Sequence, residues 1–407
     1  MNIQLAWRNI WRNPRRTAVI LTAVVIGAWS MIFLAALMRG VVDGMVKNGI
    51  ATLTGHVQIH QRDYPADPVV DHRIENPRSL LQVLEENLPA GSCWSARVRV
   101  NAVAGNARHS AGVTLVGIDP GQEAKVSFIG AGVTRGAYLK TDTPSGILIG
   151  RALADKFQTR LGRKIIITSQ DAKGDVVSRA FRIAGIFQAE MESTEKGFVF
   201  VNLTVAQKML KMGPAVSEVA VMLPGHGMAR EVAAKLQSIL DRDEYRVRTW
   251  RQALPLLTAM LKLYDNFIFI WFVVVFVAMG FGIVNTTLMA VFERMREIGV
   301  LKALGMRPGR VILTIEMETF FILIIGLLAG NLLGFLSCWA LSFHGIDLSA
   351  LAQGVEFAGM ARIIYPVLKS RDLINANLVV MGLGLLVTLY PAVKAARFKP
   401  VEALMHT

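Results

Sequence analysis

Four stretches of the chain are apolar over unusual lengths: about Thr17 to Met38, Phe267 to Val291, Val311 to Leu341 and Leu373 to Val393. Crossing a hydrocarbon core takes roughly 20 residues at about 1.5 Å each, so each stretch predicts a membrane helix. The first run follows a basic segment, as a signal peptide would, but it exceeds the ~7–15 residues of a cleaved apolar core and reads as a retained span. The expected layout is a leading segment 1–16, helices over 17–41, 266–291, 311–341 and 373–393, connections over 292–310 and 342–372, and a tail, 394–407.

Between the first two helices lies a large polar insertion, 42–265, with a different rhythm. His56 to His60 and Glu218 to Leu223 alternate as strands do, whereas Ser79 to Leu88, Leu203 to Leu210 and Ala229 to Leu240 carry helical spacing. Turn signals at Asp119-Pro120-Gly121 and Pro224-Gly225 divide it, and Gly112 to Phe187 (112–187) reads as a strand-rich subdomain. The predicted fold is thus an α-helical membrane protein with four transmembrane helices and a large α+β extracytoplasmic domain between helices 1 and 2. A mean hydropathy of +0.43 with 53% hydrophobic residues fits that mixture better than a soluble enzyme or a purely membrane-embedded chain.

Charge sets the expected orientation. Lysine and arginine total 44 against 30 acidic residues, a net charge of +14. Such an excess suits nucleic acid, anionic lipid or a topology bias, and its placement decides. Arg8, Arg12, Arg15 and Arg16, then Arg294, Arg296, Lys302, Arg307 and Arg310, then Lys394, Arg397 and Lys399 all lie beside apolar runs. That pattern places both termini and 292–310 in the cytoplasm, and the insertion and 342–372 outside. Cys93 and Cys338 fall in a polar and an apolar stretch respectively, so no disulfide is expected.

Three short segments carry candidate function. Ile3, Trp7, Ile10 and Trp11 recur at helical spacing, with Arg8, Arg12 and Arg15 on another face, up to a break at Asn13-Pro14. This amphipathic helix is expected at the cytoplasmic membrane interface, with Trp7, Arg8, Trp11 and Arg12 as the anchor. In 292–310, Val291, Met295, Ile298 and Leu301 fall on one helical stripe, and Gly305 and Pro308 can end the helix. A solvated charged face is one reading of that segment; a grip that moves two spans at once is the other. In the third span, Gly326, Gly330 and Gly334 lie four apart on one face, which predicts a close helix-packing seam, and Glu318 just inside the apolar run is expected to pack or couple there.

Other patterns exclude more than they suggest. His56 and His60 share a strand face with Gln58, but without a third close ligand they read as surface histidines, and no metal site is expected. No phosphate-binding loop, nucleophile elbow, zinc-protease motif or paired catalytic carboxylates stand out, so no catalytic residue is expected in this chain.

Taken together, these segments resemble the MacB/FtsX/LolC-LolE superfamily of ABC permeases along nearly the whole chain. The resemblance rests on Ala6-Trp7-Arg8-Asn9 with Asn13-Pro14-Arg15-Arg16-Thr17, on Arg296 to Gly305, on Glu318 with the three glycines, and on Pro391-Ala392, Ala395-Ala396-Arg397 and Pro400 to Leu404. Within the insertion, Thr54 to Ile59, Val116 to Pro120, Ile149 to Ala154, Ala184 to Phe187 and Val247 to Trp250 are similar to stretches of the lipoprotein-releasing branch. The resemblance implies a permease that binds no cofactor itself. A separate cytoplasmic ATPase dimer carrying ATP and Mg would grip a coupling helix at Arg294, Arg296, Glu297, Ile298, Leu301, Lys302, Leu304 and Gly305. A second permease, identical or related, would complete the complex, and a lipoprotein or other amphiphile would be taken from the periplasmic side. The alternative is a non-transporting relay that activates an external partner such as a cell-wall hydrolase; a receptor or membrane enzyme without an ATPase is a third.

The topology is testable by reporter fusions. Fusions near Asn2, Arg307 and His406 are expected to report the cytoplasm, and fusions near Asp171 and Gly354 the outside. A cytoplasmic signal at Asp171 would overturn the four-span arrangement.

Overall fold

A computed structural model describes residues 2–141, 145–347 and 363–398. The fusion points Gly354 and His406, most of the expected loop 342–372, and the C-terminal motif Pro400 to Leu404 lie outside the described residues. The chain divides into two compact units. One contains Met1–Asp43, Leu261–Ser349 and Ile363–Thr407, and the other Gly44–Met260 with Ala350–Arg362.

The first unit is helical: α1 (Asn2–Arg12), α2 (Pro14–Gly49), α3 (Pro255–Glu293), α4 (Met295–Ala303), α5 (Pro308–His344) and α6 (Ser370–Ala396). The terminal turns of α2 and α3 belong to the second unit. Among the described residues, four helices are long and apolar enough to cross a membrane, and they contain the four predicted spans. Each runs past its apolar core. The helix of 17–41 begins at Pro14 and continues to Gly49, and that of 311–341 runs from Pro308 to His344. Within the expected connection 292–310, only Met295–Ala303 forms the separate helix α4. Past α5, Ile346–Asp347 (β11) pairs with Ile363–Ile364 (β12).

Sequence chemistry explains the breaks. Proline has no N–H and fixes φ near the helical value, so it ends one helix and opens the next. Pro14 does so between α1 and α2, and Pro308 opens α5 behind an extended Arg307. Thr17 closes the first joint: its N–H donates to the Asn13 carbonyl at 3.1 Å and its hydroxyl to that of Ile10 at 2.5 Å.

The glycine seam of α5 faces α2. A Cβ built on Gly326 would stand 2.5 Å from Val24 Cγ1, one on Gly330 2.7 Å from Ala28 Cβ, and one on Gly334 2.9 Å from Ile32 Cγ2. No real Cβ tolerates such distances, so the seam is set by backbone approach. The other side of the bundle uses a similar fit, with Gly384 of α6 receiving Leu323. Polar pairs add register: Trp29 donates its indole N–H to the Ser337 hydroxyl at 3.0 Å, and the Asn331 and Asn377 amides join α5 to α6 at 3.0 Å.

The second unit is built on a sheet that is ten-stranded among the described residues. Its strands are β1 (Val57–Gln61), β2 (Cys93–Gly105), β3 (Ser110–Ile118), β4 (Val133–Gly136), β5 (Gly146–Gly150), β6 (Lys164–Gln170), β7 (Val176–Phe187), β8 (Phe198–Asn202), β9 (Glu218–Met222) and β10 (Tyr245–Thr249). Their order is β10-β1-β9-β2-β3-β8-β5-β7-β4, with β6 bridging β2 and β7. The strand-rich stretch 112–187 shares this sheet with later strands: β8 lies between β3 and β5, parallel to the former and antiparallel to the latter. The two faces of the sheet bury different cores, since alternate residues point to opposite sides. Val98, Leu115, Ile147, Ile149 and Phe181 belong to one core, and Val116, Leu148, Phe187 and Phe200 to the other.

Replacing Gly330 by Leu is expected to force α5 off α2, an overpacking cost of about 1–3 kcal/mol, and to lower yield and thermal stability in detergent. Leu332, on the exposed side of α5, is expected to tolerate replacement by Ile or Met. A Gly330→Leu protein with wild-type melting would show that the seam does not hold the helices.

Candidate functional site

At one end of the helical unit, charged side chains from four segments converge on α4. The carboxylate of Glu318, on α5, accepts from the Asn9 amide of α1 at 2.6 Å and from Arg294 Nη1 at 3.0 and 3.1 Å. Both partners of the Glu318–Arg294 pair are largely buried. Burial explains the arrangement: a charge removed from water is tolerated only when paired and hydrogen-bonded. Glu318 thus joins α1, the α3–α4 corner and α5, which is a more specific outcome than a carboxylate reaching for the interface.

A second row reinforces the first. Arg12 makes a two-armed contact with Glu297, one arm at 2.9 Å, Asn13 donates to Glu293 at 3.2 Å, and Arg16 stands 3.6 Å from Glu293. The hydrogen bond from Arg12, then its charge, holds the Glu297 carboxyl below the usual range. Arg12 is therefore occupied by protein in this structure. Trp7 packs edge-on against Phe321 and Trp11, while Ala6 and Ile10 are buried. Arg8, the remaining member of the expected anchor, is exposed.

The far end of α4 is tied as well. Lys302 donates to the carbonyls of Ala396 and Phe398, at 2.8 and 2.6 Å, where α6 ends. A cation at the unsatisfied carbonyls of a helix C-terminus is favourable on both hydrogen-bond and dipole grounds. Gly305 has φ +95°, a left-handed conformation in which glycine is unstrained, and it turns the chain toward α5.

The stripe read from sequence is only partly the buried one. Val291 and Met295 are buried and Ile298 is half-buried, but Leu301 is 43% exposed. The correction is geometric. Within the unbroken helix Met295–Ala303, each step of three residues turns back by about 60°, so Leu301 drifts off the buried face that Met295 and Gly299, four apart, define. As a result Val300, Leu301 and Leu304 are exposed, Leu304 at 80%, on a helix also carrying Arg296 and Glu297.

Sequence reasoning missed Asn9, Arg16 and Glu293 as partners here. At the opposite ends of the spans it missed Arg39, whose guanidinium grips Asp372 at 2.7 and 3.0 Å and also contacts Asp265, joining α2, α6 and α3. The signal was present as one charge at the same end of three apolar runs. In the second unit the histidines are also corrected. His56 and His60 are buried rather than on the surface, His56 Nδ1 accepts from the Leu223 N–H at 3.0 Å, and His60 contacts Gln58 at 3.2 Å and stacks on Tyr64. Burial depresses the His60 pKa to about 4.

Comparison with known proteins bears on both units. A family described as MacB-like periplasmic core domain matches residues 17–239, and one described as FtsX-like permease C-terminal matches residues 268–400. The lipoprotein-releasing system transmembrane protein LolC of Neisseria meningitidis serogroup B is 23% identical over 402 residues, covering 96% of this chain and 94% of that protein. LolC of Xylella fastidiosa (strain Temecula1) is 26% identical over 303 residues, 71% and 72% of the two chains. The macrolide export ATP-binding/permease protein MacB of Chlorobium luteolum is 24% identical over 426 residues, covering 99% of this chain and 60% of that longer protein. With four membrane-length helices, these matches identify a multi-pass inner-membrane protein. The chain belongs to the MacB/FtsX/LolC-LolE superfamily of ABC transporter permeases.

Proposed function

We propose that this permease couples ATP hydrolysis by a separate cytoplasmic ATPase to extraction or export of a lipoprotein or another amphiphile on the periplasmic side. The observation that carries the coupling is α4. It is wired at one end to α1 and α5 through Arg12–Glu297 and Arg294–Glu318, and at the other to α6 through Lys302. It leaves Val300, Leu301 and Leu304 uncovered between charges. A protein that seats on that edge moves several helices together, because a packed and ion-paired junction shifts as a body rather than deforming continuously. The ATP and Mg belong to the partner in this reading, and a second permease completes the complex. Both termini and α4 are cytoplasmic, in keeping with the flanking arginines and lysines. The similarity to LolC over most of the chain supports lipoprotein as the cargo class.

Breaking α4 with Leu301→Pro costs roughly 3 kcal/mol of helix stability, enough to melt so short a helix while leaving the spans inserted. Co-purification from lipid with the ATPase is expected to fall, and stimulated hydrolysis and lipoprotein release with it; Glu297→Lys is expected to act in the same direction. Normal values of all three with Leu301→Pro would show that α4 is only a connector. Glu318→Ala leaves Arg294 without its carboxylate at a cost of about 1–3 kcal/mol. It should lower the melting temperature of the purified permease even without the ATPase, whereas Leu304→Ala, on the exposed edge, should weaken ATPase binding at unchanged melting temperature.

A further inference from the structure

The last turns of α2, from Gly44 on, belong to the inserted domain, and the way they end is unusual. The helix widens into a π-type turn over Ile50–Thr54, with the Gly55 N–H donating to the Ile50 carbonyl at 2.9 Å, and Leu53 leaves helical geometry. A helix end leaves carbonyls without partners, and these ordinarily meet water or a glycine-rich cap. Here the end is buried. The Leu53 side chain sits in the core with Val116, Leu148 and Phe200, and the Phe128 N–H donates to the Ala51 carbonyl at 3.0 Å. The Leu53 carbonyl itself is held by the guanidinium of Arg97, from β2, with the Gln58 amide at 3.4 Å.

Arg97 is fully buried and every arm is engaged. Nε and Nη2 form a fork on Glu123 at 2.8 and 2.7 Å, and Nη1 reaches Glu218 at 3.2 Å as well as Leu53. Glu218 and Glu123 are also fully buried. The strand register lays this cluster across the sheet: His60 pairs with Glu218, and Glu218 with Arg97. Burial pushes the Glu218 carboxyl pKa up, but the charges of Arg99 and Arg97 outweigh it and hold the group below the usual carboxylate range. A buried ionic row is a poor way to gain stability, since apolar side chains of similar volume usually serve as well or better. What it provides is one fixed geometry, because any slip of the helix end would strand charges in the core.

We propose that Arg97 is a positioning residue for force transmission: it locks the end of the first membrane helix onto the sheet, so that displacement of that helix moves the inserted domain as a body. The inference rests on the coupling reading above and adds to it the joint at which motion enters the domain. A single carbonyl held by a flexible loop would yield under load; one held by a forked guanidinium that is itself anchored on two carboxylates does not. Gly55, immediately beyond, has φ +65°, and a Cβ there would stand 2.8 Å from the Val221 carbonyl, so the exit from the clamp is also packed against β9.

The test uses the full chain reconstituted with the ATPase recovered from its own membranes, in phosphatidylethanolamine and phosphatidylglycerol vesicles carrying a triacylated model lipoprotein. Arg97→Met with Glu123→Gln removes the cation and one carboxylate together, leaving Glu218 beside Arg99. Amide hydrogen exchange is expected to show β2 and β3 still protected, with exchange at Ile50–Gly55 faster by about tenfold or more. ATP hydrolysis should persist. The nucleotide-driven change in exchange at β1 and β9, present in the wild type, should disappear, and lipoprotein release should fall about tenfold or more. A purely structural role would lower protection throughout the sheet instead, and that result, or a loosened helix end with undiminished nucleotide response and release, would overturn the proposal. Should the double variant not fold, Arg97→Lys carries the same comparison: it keeps a charge beside Glu123 but cannot hold Leu53 as well, and wild-type behaviour from it would equally overturn the clamp. A wild-type complex whose inserted domain responds to nucleotide but which releases no lipoprotein would sink the transport reading and leave the clamp standing; one with no nucleotide response in that domain would sink the clamp.

Discussion

Glu318 lies where the apolar third span meets the charged end of the bundle, and the arrangement of that end depends on how its carboxylate is satisfied. An ionised group at that depth needs cations or amide donors in reach, and the chain brings them from far away in sequence, Asn9 from α1 and Arg294 from the α3–α4 corner. Once those segments are fixed, Arg12 meets Glu297 and Asn13 meets Glu293. The exposed pair adds little stability of its own, because water and salt screen it. The buried one sets which segments touch. That division is why the same few charges can define a junction without making it rigid by strength alone.

The same constraint acts differently in the inserted domain. There the buried charges are in the interior of a sheet, with Arg97 shared by two carboxylates and a backbone carbonyl. In the helical unit, by contrast, close approach is achieved without charge, by Gly326, Gly330 and Gly334 receiving Val24, Ala28 and Ile32. Lipid gives no hydrophobic reason for helices to associate, so packing and hydrogen bonds must supply it. The Trp29–Ser337 and Asn331–Asn377 bonds stand on either side of α5 and fix which helix lies on which face.

Much of this was legible in the sequence, for a physical reason. A membrane span is long and apolar by necessity, and a strand alternates by geometry, so both leave local signatures; the helices at Pro77–Asn87, Leu203–Met209 and Ala229–Ile239 fall within two residues of the expected ones. Gly330 was readable because spacing by four on a helix is itself a contact statement. What could not be read was partnership. Arg39 with Asp372 spans 333 positions and Asn9 with Glu318 spans 309. Leu301 was misassigned because steps of three residues drift off a helix face, whereas Met295 and Gly299, four apart, stay on it. The place of β8 between β3 and β5 was equally invisible, because strand order in a mixed sheet is a tertiary fact.

Exposed apolar side chains mean different things on α4 and on the spans. On α3, Phe267, Phe269, Ile270 and Phe281 are exposed, yet they occur in an uninterrupted apolar run, and lipid tails solvate such a surface without any protein partner. On α4, Val300, Leu301 and Leu304 share nine or ten residues with Arg296, Glu297 and Lys302. So many charges keep a short helix out of hydrocarbon, where each would cost several kcal/mol unpaired. Hydrocarbon therefore does not cover the edge, and among the described residues Arg12, Arg294 and Lys302 are committed to Glu297, Glu318 and the end of α6. Water can, but apolar residues grouped beside charges are the composition of a binding edge rather than of a solvated face. This contrast, more than the sequence of α4 alone, is what favours the proposed coupling role over a mere connector.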